Sequence, residues 1–178
     1  MPIPPYHAAL RAKIGNDLIW APGVSVHILR EREGTYEVLL QRRSDDGTWN
    51  PICGSVDPGE DPDVCAVREA AEEAGIAITI DALLAVRALP RHTIAGNGHQ
   101  VQYLDLAFVG RPVGDGDEAH IADEESLDMV WCPVDELPPM QERHRFSLQQ
   151  GLERRRAMDE GAPVPTGVLF GSDEPRTL

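Results

Sequence analysis

The chain has 178 residues, 42% apolar and 26% charged, with thirty acids against sixteen bases and a net charge of −14. That length and balance fit one globular domain with modest additions. The acidity argues against a basic nucleic-acid grip and a polybasic membrane patch, so neither partner is expected.

Further bulk features narrow the class. No apolar run approaches the roughly 18 residues of a membrane span. Met1-Pro2-Ile3-Pro4-Pro5 has neither the charged nor the apolar region of a signal peptide, so a cytoplasmic location is expected. Cys53, Cys65 and Cys132 are too scattered for a disulfide framework or a zinc knuckle. They read as small thiols in a reducing compartment.

In chain order, residues 1–21 read as a leader in which Tyr6–Lys13 forms one or two helical turns. A domain is expected over 22–160, and an irregular tail over 161–178. Pro22–Arg30 reads as a strand, with Val24, Val26 and Ile28 alternating against Ser25 and His27. Gly34 marks a turn, and Tyr36–Arg43 is the returning strand. Trp49–Glu60 is rich in Gly and Pro and reads as a loop. Asp61-Pro62 opens a helix that runs to Ala74 and stops at Gly75. Strands follow around 76–89, 101–110 and 128–133, then a terminal helix over 142–160.

The helix at 62–74 is the most informative segment. Helical spacing predicts a packed face of Val64, Val67, Ala71 and Ala74, with Glu69, Glu72 and Glu73 opposite. Glu69 repels Glu72 at i,i+3 and Glu73 at i,i+4, each pair costing roughly 0.2–0.5 kcal/mol on an exposed helix. Glu72 and Glu73 also stand near the C-terminus, where the helix dipole disfavours anions. Arg68 offers one compensating charge. An all-carboxylate set suits a hard ion such as Mg²⁺ or Mn²⁺. A solvated acidic face is the competing reading.

The segment also resembles the signature of the Nudix hydrolase (MutT-like) family: Gly, five residues, Glu, seven residues, Arg-Glu-U-x-Glu-Glu-x-Gly-U, with U aliphatic. Gly54, Glu60, Arg68, Glu69, Glu72, Glu73, Gly75 and Ile76 fill the fixed positions. Two departures are Ile52-Cys53-Gly54-Ser55, where many members approach the box through Pro-Gly-Gly, and the small Ala70 at an aliphatic position. The order of strands, the Trp49 loop and a late acidic loop extend the likeness over most of the chain. The resemblance implies an α/β/α sandwich around a mixed sheet. It implies a metal-dependent hydrolase cleaving a pyrophosphate link in a small nucleotide, either a nucleoside triphosphate or a nucleotide sugar such as ADP-ribose. Glu69, Glu72, Glu73 and the Gly54 carbonyl would ligate the metal. Arg68 would orient the glutamates, and Glu60 would fix the loop to the helix. Glu69 is one candidate for the base. The other is Glu125 in the late loop, with Glu124 behind it. Alternatives are a non-catalytic nucleotide-sensing module and the isomerase branch of the fold, which lacks a His constellation here.

Substrate phosphates call for cations, and Arg42 and Arg43 end a strand leading toward the box. Arg87, Arg91 and Arg111 are further candidates. Trp49 and Tyr103 are candidates for stacking on a base, against plain packing. A homodimer is compatible with the sequence. The charge excess is localised: Gly54–Ile76 holds seven acids and one base, and Asp115–Asp128 seven acids and no base. These two segments carry thirteen of the fourteen excess negative charges.

Overall fold

A computed structural model describes residues 5–90, 93–94, 98–124 and 126–170. Glu125 and Arg91, two residues singled out above, lie outside them. The elements are α1 (Pro5–Ile14), β1 (Ile19–Arg32), β2 (Thr35–Arg43), β3 (Trp49–Asn50), β4 (Ile52–Ser55) and α2 (Pro62–Ala74). They continue with β5 (Ile78–Ala88), β6 (Thr93–Ile94), β7 (Gln100–Pro112), β8 (Ser126–Pro133), α3 (Glu142–Asp159) and β9 (Leu169–Phe170).

The long strand β1 organises the sheet. Its first part pairs in parallel with β7, from Ile19 opposite Val101 to Ile28 opposite Gly110. On its other edge it meets β4 antiparallel, Gly23 opposite Ser55 and Val26 opposite Ile52. Its last four residues form a hairpin with β2, closed by Glu33 and Gly34 at φ 53° and 81°. Two positive φ values suit the tight turn that matches strand twist. β8 and β3 pair with β2, and β5 pairs with β7.

The mixed sheet lies between α2 and α3, the α/β/α sandwich expected. Val24, Val26, Ile28, Leu39 and Ile52 pack under α2. Leu29, Val38, Leu40, Leu84, Ala107 and Val109 pack with Leu148 of α3. The alternation in β1 is therefore real, but its polar partners do not meet water. Ser25 and His27 are fully buried on the α3 side.

Three local expectations need correction. Trp49–Asn50 and Ile52–Ser55 are strands, not loop. Pro51 falls between them, so its missing N–H interrupts neither ladder. The tail includes β9, which pairs in parallel with β5. The packed face of α2 is also different. Cys65, Ala66, Ala70, Glu73 and Ala74 are buried, whereas Val64 and Val67 are 54% and 37% exposed. The helix is turned by about a third of a turn from the hydrophobic reading. Its alanine stripe permits close approach to the sheet, and the rotation brings Glu69 and Glu73 inward. Two exposed valines are the apolar cost of that orientation.

Both ends of α2 behave as its sequence dictates. Pro62 occupies the first turn after an extended Asp61, whose side chain makes no cap bond. Gly75 has φ 64°, with its N–H on the Ala71 carbonyl and the Ile76 N–H on Ala70. The bond from the Gly75 N–H to the carbonyl four residues back is that of an αL stop.

Candidate active site

The site forms where β4 passes under α2. Gly54 faces the helix, and a Cβ built there would stand 2.1 Å from both Cδ and Oε1 of Glu69. Only glycine lets strand and carboxylate approach this closely. Arg68 gathers the acids. Its Nε and Nη2 donate to the two Glu60 oxygens at 2.8 and 3.0 Å. Its Nη1 donates to Glu69 Oε1 at 2.8 Å and Glu72 Oε2 at 3.0 Å. Nη2 also reaches the Ser55 carbonyl at 3.2 Å, tying α2 to the end of β4. The Arg68 pairing, helped by the Asp57 N–H, holds the Glu60 carboxyl down at about 2.

Glu73 is only 4% exposed. Gln41 Nε2 donates to its Oε2 at 2.7 Å, and Ser126 Oγ donates to Gln41 Oε1 at 2.5 Å. Gln41 and Ser126 are themselves buried. Three polar groups from β2, β8 and α2 thus form one interior relay that fixes Glu73. Burial pushes the Glu73 carboxyl up to about 8, with the Glu69 charge adding and the Gln41 hydrogen bond opposing. A carboxylate held among acids at such cost fits a cation partner.

The late acidic loop joins this site. The Ala122 N–H donates to the Glu73 carbonyl at 3.0 Å, and the His120 N–H to Ala74 at 3.1 Å. His120 lies over Gly75, where a Cβ would come within 2.3 Å of its ring. The Asp123 charge acts on Glu73. Both acidic segments therefore meet at the C-terminal end of α2.

The donor set is all oxygen, in keeping with a hard divalent ion. Among the described residues no trio of acidic, His or Cys side chains already stands in ligating geometry. Glu69 and Glu72 instead converge on Arg68, which holds them in register from one side. The arginines expected to meet substrate are engaged locally. Arg43 gives two nitrogens to Asp45, and Arg42 Nε donates to the Gly47 carbonyl at 3.2 Å. Trp49 stands opposite Arg42 and packs on the α3-side core. Tyr103 shares a 3.2 Å hydrogen bond with Ser55 beside Gly54.

Sequence reasoning missed Gln41 and Ser126. A polar residue ending the run Val38-Leu39-Leu40 was the available signal for Gln41. Nothing local marked Ser126.

The NUDIX domain model matches residues 20–151. The chain therefore belongs to the NUDIX domain family, and it is an enzyme of the Nudix hydrolase class. A MutT NUDIX hydrolase from Burkholderia pseudomallei shares 25% identity at a TM-score of 0.55, covering 74% of this chain and 97% of its own. An ADP-ribose pyrophosphatase from Streptococcus suis 89-1591 shares 19% at 0.55, covering 84% and 98%. An Ap4A hydrolase from C. elegans shares 24% at 0.50, covering 78% and 98%. No curated protein matches the sequence. Among the described residues no helix is long and apolar enough to cross a membrane.

Proposed function

We propose that the protein hydrolyses the pyrophosphate link of a small nucleotide, a nucleoside triphosphate or a nucleotide sugar of the ADP-ribose kind, with Mg²⁺ or Mn²⁺. The observation that carries this reading is Glu69 set against Gly54, with Arg68 bridging it to Glu72 and with Glu73 buried on Gln41. Glu69, Glu72, Glu73 and the Gly54 carbonyl would hold the metal. Bound there, a hard divalent ion offsets phosphate charge and makes a water more acidic.

The remaining work belongs to side chains. Arg68 keeps Glu69 and Glu72 aligned while Glu60 anchors the guanidinium. Gln41 and Ser126 fix Glu73. Glu69 would take a proton from the attacking water, with Glu125 as the second candidate base. The water oxygen bonds to phosphorus and the bridging P–O bond breaks. Two phosphorylated products leave, a nucleoside monophosphate and either a second phosphate ester or inorganic pyrophosphate, and the proton passes to the carboxylate. Arg42, Arg43 and Trp49 are assigned to substrate binding, which requires the Asp45 and Gly47 contacts to be exchanged for phosphate. A small nucleotide is the expected partner, in the cytoplasm, with no nucleic acid or membrane and with a homodimer compatible.

The test is a nucleotide panel with Mg²⁺ or Mn²⁺ and products identified by mass. The reading predicts a nucleoside monophosphate and a second phosphorylated product. A folded, metal-loaded protein that cleaves none of the panel contradicts it and favours a nucleotide-sensing module.

A further inference from the structure

The opposite face of β4 carries a second constellation. Strand alternation turns Gly54 toward Glu69 and turns Cys53 and Ser55 toward α3. Cys53 stands opposite Ser25, and Ser55 opposite Gly23. Gly23 in turn faces Asp105 of β7. Asp105 is buried, with a side chain 12% exposed. Its Oδ2 accepts from Arg143 Nη1 at 3.1 Å and from Ser25 Oγ at 3.4 Å. Arg143, second residue of α3, keeps 25% of its side chain exposed. The Cys53 thiol senses the charges of Arg143 and Arg43, as well as Asp105 and Glu73. Because Ser25 pairs with Cys53, the Arg143–Asp105–Ser25 cluster lies beside Cys53, one residue from Gly54.

This arrangement separates charge across one short strand. On the α2 side Arg68 meets three glutamates, and on the α3 side Arg143 meets one aspartate. A pyrophosphate lying across Gly54 needs both, because the charge of a divalent ion is already offset by the carboxylates that would hold it. Arg68 is committed to three glutamates and Arg43 to Asp45. Arg143 meets one carboxylate, and Asp105 divides its acceptor oxygen between Arg143 and Ser25. Seating a guanidinium on a buried carboxylate fixes its orientation before ligand arrives, which suits phosphate recognition.

We propose that Arg143 contacts the substrate phosphate lying across Gly54 from the box glutamates, and that Asp105 is the positioning residue that aims it. This rests on the pyrophosphatase reading above and extends it to phosphate recognition. An Arg–Asp pair that only locked α3 to β7 would affect stability without affecting ligand binding.

The experiment measures the Kd of α,β-methylene-ADP by calorimetry, KM and kcat on the nucleotide that the panel identifies, and Tm. Arg143→Gln is expected to weaken Kd and raise KM by about tenfold or more, the scale of one charge-assisted contact, with the loss carried by KM rather than kcat. Arg143→Lys recovers part of the affinity. Asp105→Asn, which keeps the shape and removes the anchor charge, weakens Kd by about three- to tenfold. Kd and KM within twofold of wild type in Arg143→Gln overturn the proposal. So does a fall in Tm with unchanged Kd in both variants, or a wild type that binds no methylene-ADP. Absence of turnover by wild type sinks the hydrolase reading, while the Kd comparison still judges Arg143.

Discussion

Gly54→Ala is the sharpest perturbation the site offers. The added methyl would stand 2.1 Å from Glu69 Cδ and Oε1 and 2.2 Å from Cγ. Ordinary carbon contacts lie near 3.5–4.0 Å, so the overlap exceeds about 1 Å. Three atoms of one side chain are involved, so a small rotation of the carboxylate does not relieve it. Either Glu69 swings out, breaking its 2.8 Å bond to Arg68, or β4 and α2 separate. Separation disturbs the Ala66 and Ala70 stripe and costs about 1–3 kcal/mol, the usual price of overpacking. Displacing a group at the chemistry by about 1 Å costs about a hundredfold in rate. Urea unfolding and steady-state turnover measure the two effects separately. The expected outcome is a stability loss of that size or less, with a much larger fractional loss of turnover. Wild-type turnover together with wild-type stability would refute the placement of Glu69 against Gly54.

The remaining predictions address other links. Gln41→Leu breaks the relay from Ser126 to Glu73 and should weaken Mn²⁺ binding by about 10–100-fold in calorimetry, the usual effect of losing an orienting partner; an unchanged Mn²⁺ Kd would deny the relay its role. Glu60→Gln tests the anchor of Arg68. The depressed Glu60 carboxyl contributes stability above its unfolded value near 4.5, and that contribution fades as pH falls toward 2. Denaturant unfolding should therefore show Glu60→Gln less stable by about 1 kcal/mol at pH 7, with the gap narrowing below the unfolded value near 4.5 and closing toward pH 2; a gap independent of pH contradicts the ion pair. The rotated face of α2 predicts that Val67→Lys changes stability by under about 0.5 kcal/mol. Ala70→Leu should cost about 1–3 kcal/mol. Thermal melts that reverse this order would restore the face expected from hydrophobic spacing.

What could be read from the sequence was what local chemistry controls. The box spacing, the start at Pro62 and the stop at Gly75 depend on neighbours a few residues apart. The sandwich was implied by the family resemblance of the box, and the alternating strands agreed with it. The rotation of α2 did not, because it is set by tertiary demands. The alanine stripe must approach the sheet and Glu73 must reach Gln41, and both override the burial of Val64 and Val67. β3 and β4 were hidden because Gly and Pro weaken strand signals, while the pairing that rescues them comes from β1 and β2. Gln41, Ser126 and Arg143 act through residues tens of positions away. Position along the chain gives no hint of such partners. The charge count pointed correctly to two acidic segments, and their meeting at Glu73 is a fact of topology.

The most direct test of the central claim is turnover of the identified nucleotide across a Mn²⁺ titration, comparing wild type with Glu73→Gln. Wild-type turnover should rise from a negligible level in EDTA and saturate with Mn²⁺. Glu73→Gln should need at least about tenfold more Mn²⁺ and reach a lower plateau. Equal wild-type turnover in EDTA, or a Glu73→Gln curve that overlays wild type, would contradict it.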